Sequence, residues 1–148
     1  TIMCLARILP DENLSIITSG PNIALEIAKH HKPSVTLIGG QLNRNNLCTS
    51  GINALDFIKS INIDIAFLAS SGFSLDTGFT CGNFSECELK KAVVKKARRK
   101  IMLMDTSKFN KSMPFTFASL EDIDIMICES AIPQDIMEEA EKNGVKII

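Results

Sequence analysis

The sequence predicts an α/β fold, a mostly parallel sheet flanked by helices, on three observations. Short β-branched runs alternate with helical patterns along all 148 residues, as they do where crossover helices join parallel strands. Runs such as Ile123-Asp124-Ile125-Met126-Ile127-Cys128 are apolar almost throughout, which suits strands covered on both faces. Small and polar residues gather after the expected strands, where such sheets place their turns and ligand loops.

Taken in order, a helix is expected over 1–9, then a turn at Pro10-Asp11-Glu12-Asn13 and a strand over 14–18. Ser19-Gly20-Pro21-Asn22 starts the next helix, because proline in a first turn forfeits an N–H that has no helical partner there; this helix is expected to run to about His31. A strand over 35–38 ends at Gly39-Gly40, and a polar loop follows to Ser50. A helix over 52–60 leads into a strand over 63–69, and a glycine-rich loop then runs from Ser70 to Asn83. The next helix is expected over 85–100 and feeds a strand over 101–104 that stops at Asp105-Thr106-Ser107-Lys108. Short strands over 115–118 and 123–128, a helix over 133–143 stopped by Gly144, and a last strand over 145–148 complete the chain.

At roughly 100 to 200 residues per domain the length admits one domain, and no repeat, linker or low-complexity tract divides residues 1–148. With 45% apolar and 22% charged residues the chain can bury a core. A net charge of −1 removes the basic excess that a self-sufficient DNA-binding domain needs, and the absence of Trp and Tyr removes the usual stacking platforms. No stretch approaches the length of a bilayer span and no basic segment leads into an apolar signal region, so a cytoplasmic protein with no membrane partner is expected. The five cysteines form no C-x-x-C pair, and buried, reduced thiols are expected.

Four clusters stand after expected strands: Thr18-Ser19-Gly20, Gly39-Gly40, Ser70-Ser71-Gly72 and Asp105-Thr106-Ser107-Lys108. Loops and helix N-termini at the carboxyl ends of parallel strands aim N–H groups at one region, which favours a small anionic ligand. Each cluster alone is also ordinary turn chemistry. None forms a dinucleotide or nucleoside triphosphate loop, so no cofactor is expected. Lys108 can meet a phosphate or a substrate oxygen as a point charge, or be a surface lysine. Glu86 and Lys90 stand four apart in the orientation that favours an ion pair; near a ligand the carboxylate could accept sugar hydroxyls while the lysine orients it. Seven basic residues between 90 and 100 resemble a nucleic-acid stripe, yet Leu89, Val93 and Ala97 recur every four residues and set one helical face inward, leaving solvated charge on the others. The balancing acids, mostly between Glu121 and Glu141, leave intersubunit pairing open. His30 and His31 close a helix, where imidazolium suits the dipole.

In order and spacing, Ile17-Thr18, Leu37-Ile38-Gly39-Gly40, the Gly51 loop, Asp64-x-x-Phe67-Leu68, Gly78-Phe79-Thr80, Glu86-x-x-x-Lys90, Asp105-Thr106-Ser107-Lys108-Phe109 and Asp122-Ile123-Asp124 resemble the C-terminal effector-sensing domain of the DeoR family of bacterial transcriptional regulators. The resemblance covers nearly the whole chain. It implies a fold shared with ribose-5-phosphate isomerase and CoA transferases, binding of a phosphorylated sugar or related metabolite, a homo-oligomer, and regulation of a sugar-utilisation operon, as a repressor. It also implies that DNA is bound by an N-terminal winged helix-turn-helix absent from this sequence, and that a strand and an Asp-Ser-Gly-Thr-Thr phosphate loop precede it, with Thr1 as that loop's last residue. The effector-binding residues expected on this basis are Thr1, Thr18, Ser19, Gly39, Gly40, Ser71, Gly72, Asn83, Glu86, Lys90 and Lys108; no catalytic residue or metal ligand is expected. Ser19 stands where Asn is common and Ser71 where many members carry Asp, which weakens the alternative, a sugar-phosphate isomerase that moves a proton with a carboxylate and steadies an oxyanion with Lys108.

Overall fold

A computed structural model describes residues 1–148. The chain runs α1 (Ile2–Arg7), β1 (Ser15–Thr18), α2 (Pro21–Ile27), β2 (Ser34–Leu37), β3 (Gln41–Asn43), β4 (Cys48–Ser50), α3 (Ile52–Ser60), β5 (Ile63–Ala69), β6 (Gly72–Ser74), β7 (Gly78–Cys81), α4 (Phe84–Lys96), β8 (Ala97–Met104), β9 (Phe115–Ala118), β10 (Ile125–Cys128), α5 (Gln134–Lys142) and β11 (Lys146–Ile147). Single 3-10 turns follow β8, at Thr106–Lys108, and β9, at Leu120–Asp122.

The main sheet is parallel, in the order β11-β10-β8-β5, with β1 and β2 forming a separate parallel pair. This is the expected α/β class, with the parallel strands divided between two sheets; β5 and β1 each keep one edge unpaired. Two antiparallel elements are additional, the β3–β4 hairpin and a sheet ordered β6-β7-β9. Apart from β9, which the sequence predicts as a strand, they occupy segments 41–50 and 70–83, whose glycines and polar side chains read as loops. Strands of three or four residues give too few alternations to stand out from turn chemistry.

Side-chain alternation along β8 explains the apolar run. Met102 and Met104 point into a core of 19 buried residues shared with Phe73, Phe79, Phe117, Met126 and Ile136, while Ile101 and Leu103 face the other way and pack with Ile125, Ile2 and Leu5 of α1. The aromatic rings of Phe73 and Phe79 lie 4.4 Å apart and both residues are fully buried. Each fully buried ring or aliphatic chain here contributes about 1.5–3 kcal/mol of burial free energy. A smaller cluster, Ile38, Ala54, Ile58 and Leu89, joins the end of β2 to α3 and α4.

Two expectations about helices and one about the cysteines are corrected. Helix α4 ends at Lys96, so Ala97 opens β8 and is buried in the main core; only Leu89 and Val93 of the expected seam belong to the helix. The seven cations are thereby divided between a helix and a strand, and Arg98 and Lys100 lie 3.5 and 3.6 Å from Asp64 and Asp124 of the same chain. Ala97 to Lys100 hold a strand conformation because β5 pairs with them, Ile63 opposite Ala97 and Ile65 opposite Arg99; tertiary pairing overrides helix propensity. Helix α2 ends at Ile27, so His30 and His31 lie beyond it, where the His31 and Lys32 N–H groups donate to Asp11. The cysteines are all free, but only Cys81 and Cys87 are buried; Cys48 and Cys128 are half-buried and Cys4 is exposed. No helix is long and apolar enough to cross a membrane.

Candidate functional site

The carboxyl ends of β1, β2 and β5 meet through side chains on the β3–β4 hairpin and α4. Thr49, buried on β4, donates its N–H to the Ser19 carbonyl at 2.7 Å, and its hydroxyl lies 3.0 Å from the Ser19 carbonyl and 2.5 Å from that of Ile38. One residue therefore ties the ends of β1 and β2 to the hairpin. Gly40 begins the hairpin with φ +147°, and a Cβ there would stand 2.5 Å from the Ser50 carbonyl, so both conformation and space require glycine.

At the hairpin tip Asn46 reaches across to α4. Its Nδ2 donates to Glu86 Oε2 at 2.6 Å, while Glu86 Oε1 lies 2.7 Å from Lys90 Nζ. The same ammonium donates to the Ala69 carbonyl at 2.8 Å and stands 4.9 Å from the centre of the Phe117 ring. The Glu86 and Lys90 side chains are 17% and 20% exposed, so this is a mostly buried pair anchored to the end of β5 and not a solvated one. Asn83 caps α4 by accepting the Glu86 N–H at 3.0 Å, which fixes where the carboxylate starts.

Of the expected residues, this network brings together Ser19, Asn83, Glu86 and Lys90, with Gly39 and Gly40 adjoining through Ile38 and Ser50. The Thr18 hydroxyl is committed to the turn into α2, accepting the Gly20 N–H at 3.1 Å. Ser71 is exposed beside the network and donates its N–H to the Thr80 carbonyl, whereas Gly72 is buried, and a Cβ there would meet the Lys111 carbonyl at 2.5 Å. Gly72 thus serves close packing of β6 on the segment after Asn110.

Thr1 and Lys108 share no contact with the others. Thr1 is exposed at the start of α1 and its side chain does not cap the helix. Lys108 lies at the same sheet edge, since β8 is parallel to β5 with Ala69 opposite Leu103, but its nearest charge is Asp105 at 4.0 Å. The turn that carries it is fastened to the end of β10: the Thr106 N–H and hydroxyl donate to Glu129 at 2.8 and 2.9 Å, and that N–H holds the Glu129 carboxyl down at about 2.

Two polar clefts flank the hairpin. One, of about 400 Å³, is lined by Gly40, Gln41, Ser50, Gly51, Ile52 and Asn53; the other, of about 160 Å³, by Gln41, Leu42, Asn43, Ser50, Asn83 and Ser85. The first falls in the usual range for small-molecule sites. Gln41, Asn46 and Ser50 were not singled out by the sequence; only the asparagine-rich turn Asn43-Arg44-Asn45-Asn46 hints that the segment is more than a linker. Burial pushes the Cys48 thiol up and the Cys81 thiol to about 11, so neither is a thiolate at neutral pH. No group of three or more His, Cys, Asp or Glu side chains is placed to hold a metal ion.

The arrangement can fix hydroxyl groups with one carboxylate and several amides, and it places cations at the ends of β5 and β8 through Lys90 and Lys108. Comparison with known proteins agrees with the family read from the motifs. Residues 1–130 match the DeoR C terminal sensor domain. The HTH-type transcriptional regulator GlpR of Haloferax volcanii is 32% identical over 149 aligned positions, covering 100% of this chain and 58% of that protein. The HTH-type transcriptional regulator GolR of Listeria innocua is 28% identical, covering 99% and 58%, and the L-fucose operon activator of Escherichia coli is 27% identical, covering 87% and 53%. The chain thus spans a little over half the length of these relatives. It belongs to the DeoR family of transcriptional regulators, as its C-terminal sensor domain.

Proposed function

We propose that residues 1–148 form the effector-binding domain of a cytoplasmic regulator of sugar metabolism, that the effector is a phosphorylated sugar or related metabolite, and that DNA is held by a part of the protein outside these residues. The observation that carries this reading is the Glu86–Lys90 pair, mostly buried, pinned to the end of β5 and facing a polar hairpin. A fixed carboxylate accepts sugar hydroxyls through charge-assisted bonds of about 1.5–3 kcal/mol each. Lys108, on the turn after β8, supplies a cation for the phosphate at the same sheet edge. Binding alters regulation only if the effector prefers one arrangement of the regulator, a homo-oligomer on this reading, over another. The relatives' names include both an operon repressor and an operon activator, and on this reading the present chain belongs to a repressor.

A thermal-shift screen of the full-length protein against sugar phosphates tests this. A ligand at 100 times its Kd adds about 2.7 kcal/mol, a rise of roughly 5–10 °C for a domain this size. Melting points unmoved by every aldose and ketose phosphate at millimolar concentration would reject the sugar-phosphate reading. Turnover of such a ligand, lost in Glu86→Gln, would favour the isomerase alternative.

A further inference from the structure

Asn46 divides its side chain between two tasks. Its Oδ1 accepts the Cys48 N–H at 3.1 Å, which shapes the hairpin turn where Leu47 takes φ +52°, and its Nδ2 donates to Glu86 Oε2, forty residues away, at 2.6 Å. Asn46 is exposed and Glu86 is mostly buried, so the amide that holds the carboxylate is itself open to solvent. Glu86 Oε1 accepts from Lys90 and Oε2 from Asn46, so each oxygen keeps one lone pair for a ligand, and Asn46 decides which way the one on Oε2 faces. The second N–H of the amide remains to donate. A hydroxyl group both donates and accepts, and a carboxylate beside an amide N–H offers it one partner of each kind.

We infer that Asn46 is a positioning residue of the effector site: it latches the β3–β4 hairpin onto Glu86 and, with that carboxylate, reads one hydroxyl of the effector as a paired acceptor and donor. The inference rests on the sugar-phosphate reading for the ligand's identity, but the latch itself does not. The hairpin is joined to the ends of β1 and β2 through Thr49, so a ligand that takes up Oε2 acts on a piece of structure that three strand ends share.

Asn46→Asp separates this role from simple support of the turn. It keeps the Oδ1 acceptor for Cys48 but sets a second carboxylate against Glu86. With both carboxylates ionised at about pH 7.5 their repulsion opens the latch; the same repulsion raises their affinity for a proton, so as pH falls one takes it up and becomes a donor like the lost amide. In the full-length protein, binding of ribose 5-phosphate and fructose 6-phosphate is measured by calorimetry for the parent, Asn46→Asp and Asn46→Ala at about pH 7.5 and about pH 5. Each variant is compared with the parent at the same pH, which cancels the ligand's own titration. Asn46→Asp should bind about ten- to a hundredfold more weakly than the parent at the higher pH and come within about threefold at the lower; Asn46→Ala should stay weak at both. Amide hydrogen exchange over 43–48 without ligand should be about tenfold faster in Asn46→Asp at the higher pH only. Parent-like binding by Asn46→Asp, or a deficit equal at both pH values, overturns the positioning role. A parent that binds neither of these two sugar phosphates overturns the hydroxyl-reading role as stated for them, the sugar-phosphate reading itself being decided by the wider thermal-shift screen, while unchanged exchange in Asn46→Asp overturns the latch independently.

Discussion

Replacing Lys90 by Met keeps the aliphatic stem and removes only the ammonium, so the loss can be worked from three contacts. The bond to the Ala69 carbonyl at 2.8 Å is charge-assisted, about 1.5–3 kcal/mol. The position above Phe117 adds about 0.5–1 kcal/mol. The pair with Glu86, about four-fifths removed from solvent, adds on the order of 1 kcal/mol. Against these stands the cost of holding an ammonium in a site only 20% exposed, which the variant no longer bears, leaving a net destabilisation of about 2–3 kcal/mol. For 148 residues that is a fall of roughly 6–10 °C in the melting midpoint, read by calorimetry. Glu86→Gln should lose about 1–3 kcal/mol, because the amide oxygen can serve only one of the two donors, Lys90 and Asn46, and its NH2 meets the other, and the double variant should lose less than the sum of the two. A Lys90→Met midpoint within 1 °C of the parent would refute the anchored pair, and additivity in the double variant would show that the two side chains do not act together.

Lys108→Ala should abolish the response to effector while operator binding is retained, measured by gel shift with and without the sugar phosphate; an unchanged midpoint for effector sinks its role. Gly40→Ala should destabilise by about 2 kcal/mol or more, since the added Cβ meets the Ser50 carbonyl at 2.5 Å in a conformation L residues avoid, and a parent-like urea midpoint would contradict this. The Glu129 carboxyl titrates at about 2 when folded against an ordinary 4.5, so what it contributes is fully present above the ordinary value and is lost as pH falls towards 2. Acid melting curves of Glu129→Gln should accordingly be flatter than the parent's between about pH 4.5 and 2, and identical slopes would disprove the Thr106 contact. Residues 1–148 alone should retain no operator DNA at physiological salt, because three of the seven clustered cations lie on a strand and two of those face acids of the same chain; specific retention would overturn that expectation.

What the sequence made legible follows from pattern length. The strands Ile63–Ala69 and Ile125–Cys128 and the helices Ile52–Ser60 and Gln134–Lys142 carry enough apolar positions at one period to identify themselves. The hairpin at 41–50 and the strands at 72–81 do not, since their turns and glycines dominate three- and four-residue ladders. The end of α4 was hidden for a different reason: Lys95 to Lys100 is good helix sequence, and only pairing with β5, 34 residues earlier in the chain, converts Ala97 onwards to strand. In the site, Glu86 and Lys90 were visible because helical spacing alone joins them. Asn46 was not, because its partner lies forty residues away and nothing local marks the contact. The same limit explains Gly72, whose neighbour Lys111 comes from a distant segment and turns a seeming ligand loop into a packing glycine.

The geometry also bears on whether the site reads hydroxyls or moves protons. A general base needs a carboxylate free to approach the carbon-bound proton and to change charge during the reaction. Glu86 has one oxygen against an ammonium and the other against an amide, and that ammonium is itself held by a carbonyl and an aromatic ring. Protonating Glu86 would set a hydroxyl against one of its two donors and leave Lys90 mostly buried beside a neutral partner, a cost borne at every turnover. Accepting hydrogen bonds requires no change of charge, and the same rigidity then becomes useful, because fixed acceptors discriminate between epimers whose hydroxyls point elsewhere. Glu86 is held by Asn46 of the hairpin and by Lys90, which is bonded to the end of β5, and the hairpin is in turn joined to the ends of β1 and β2 through Thr49. A ligand that competes for Oε2 is therefore coupled to the packing of three strands from the moment it binds. Converting a 1:99 population of two arrangements to 99:1 takes about 5.5 kcal/mol of differential affinity, which two or three charge-assisted bonds made in only one arrangement supply.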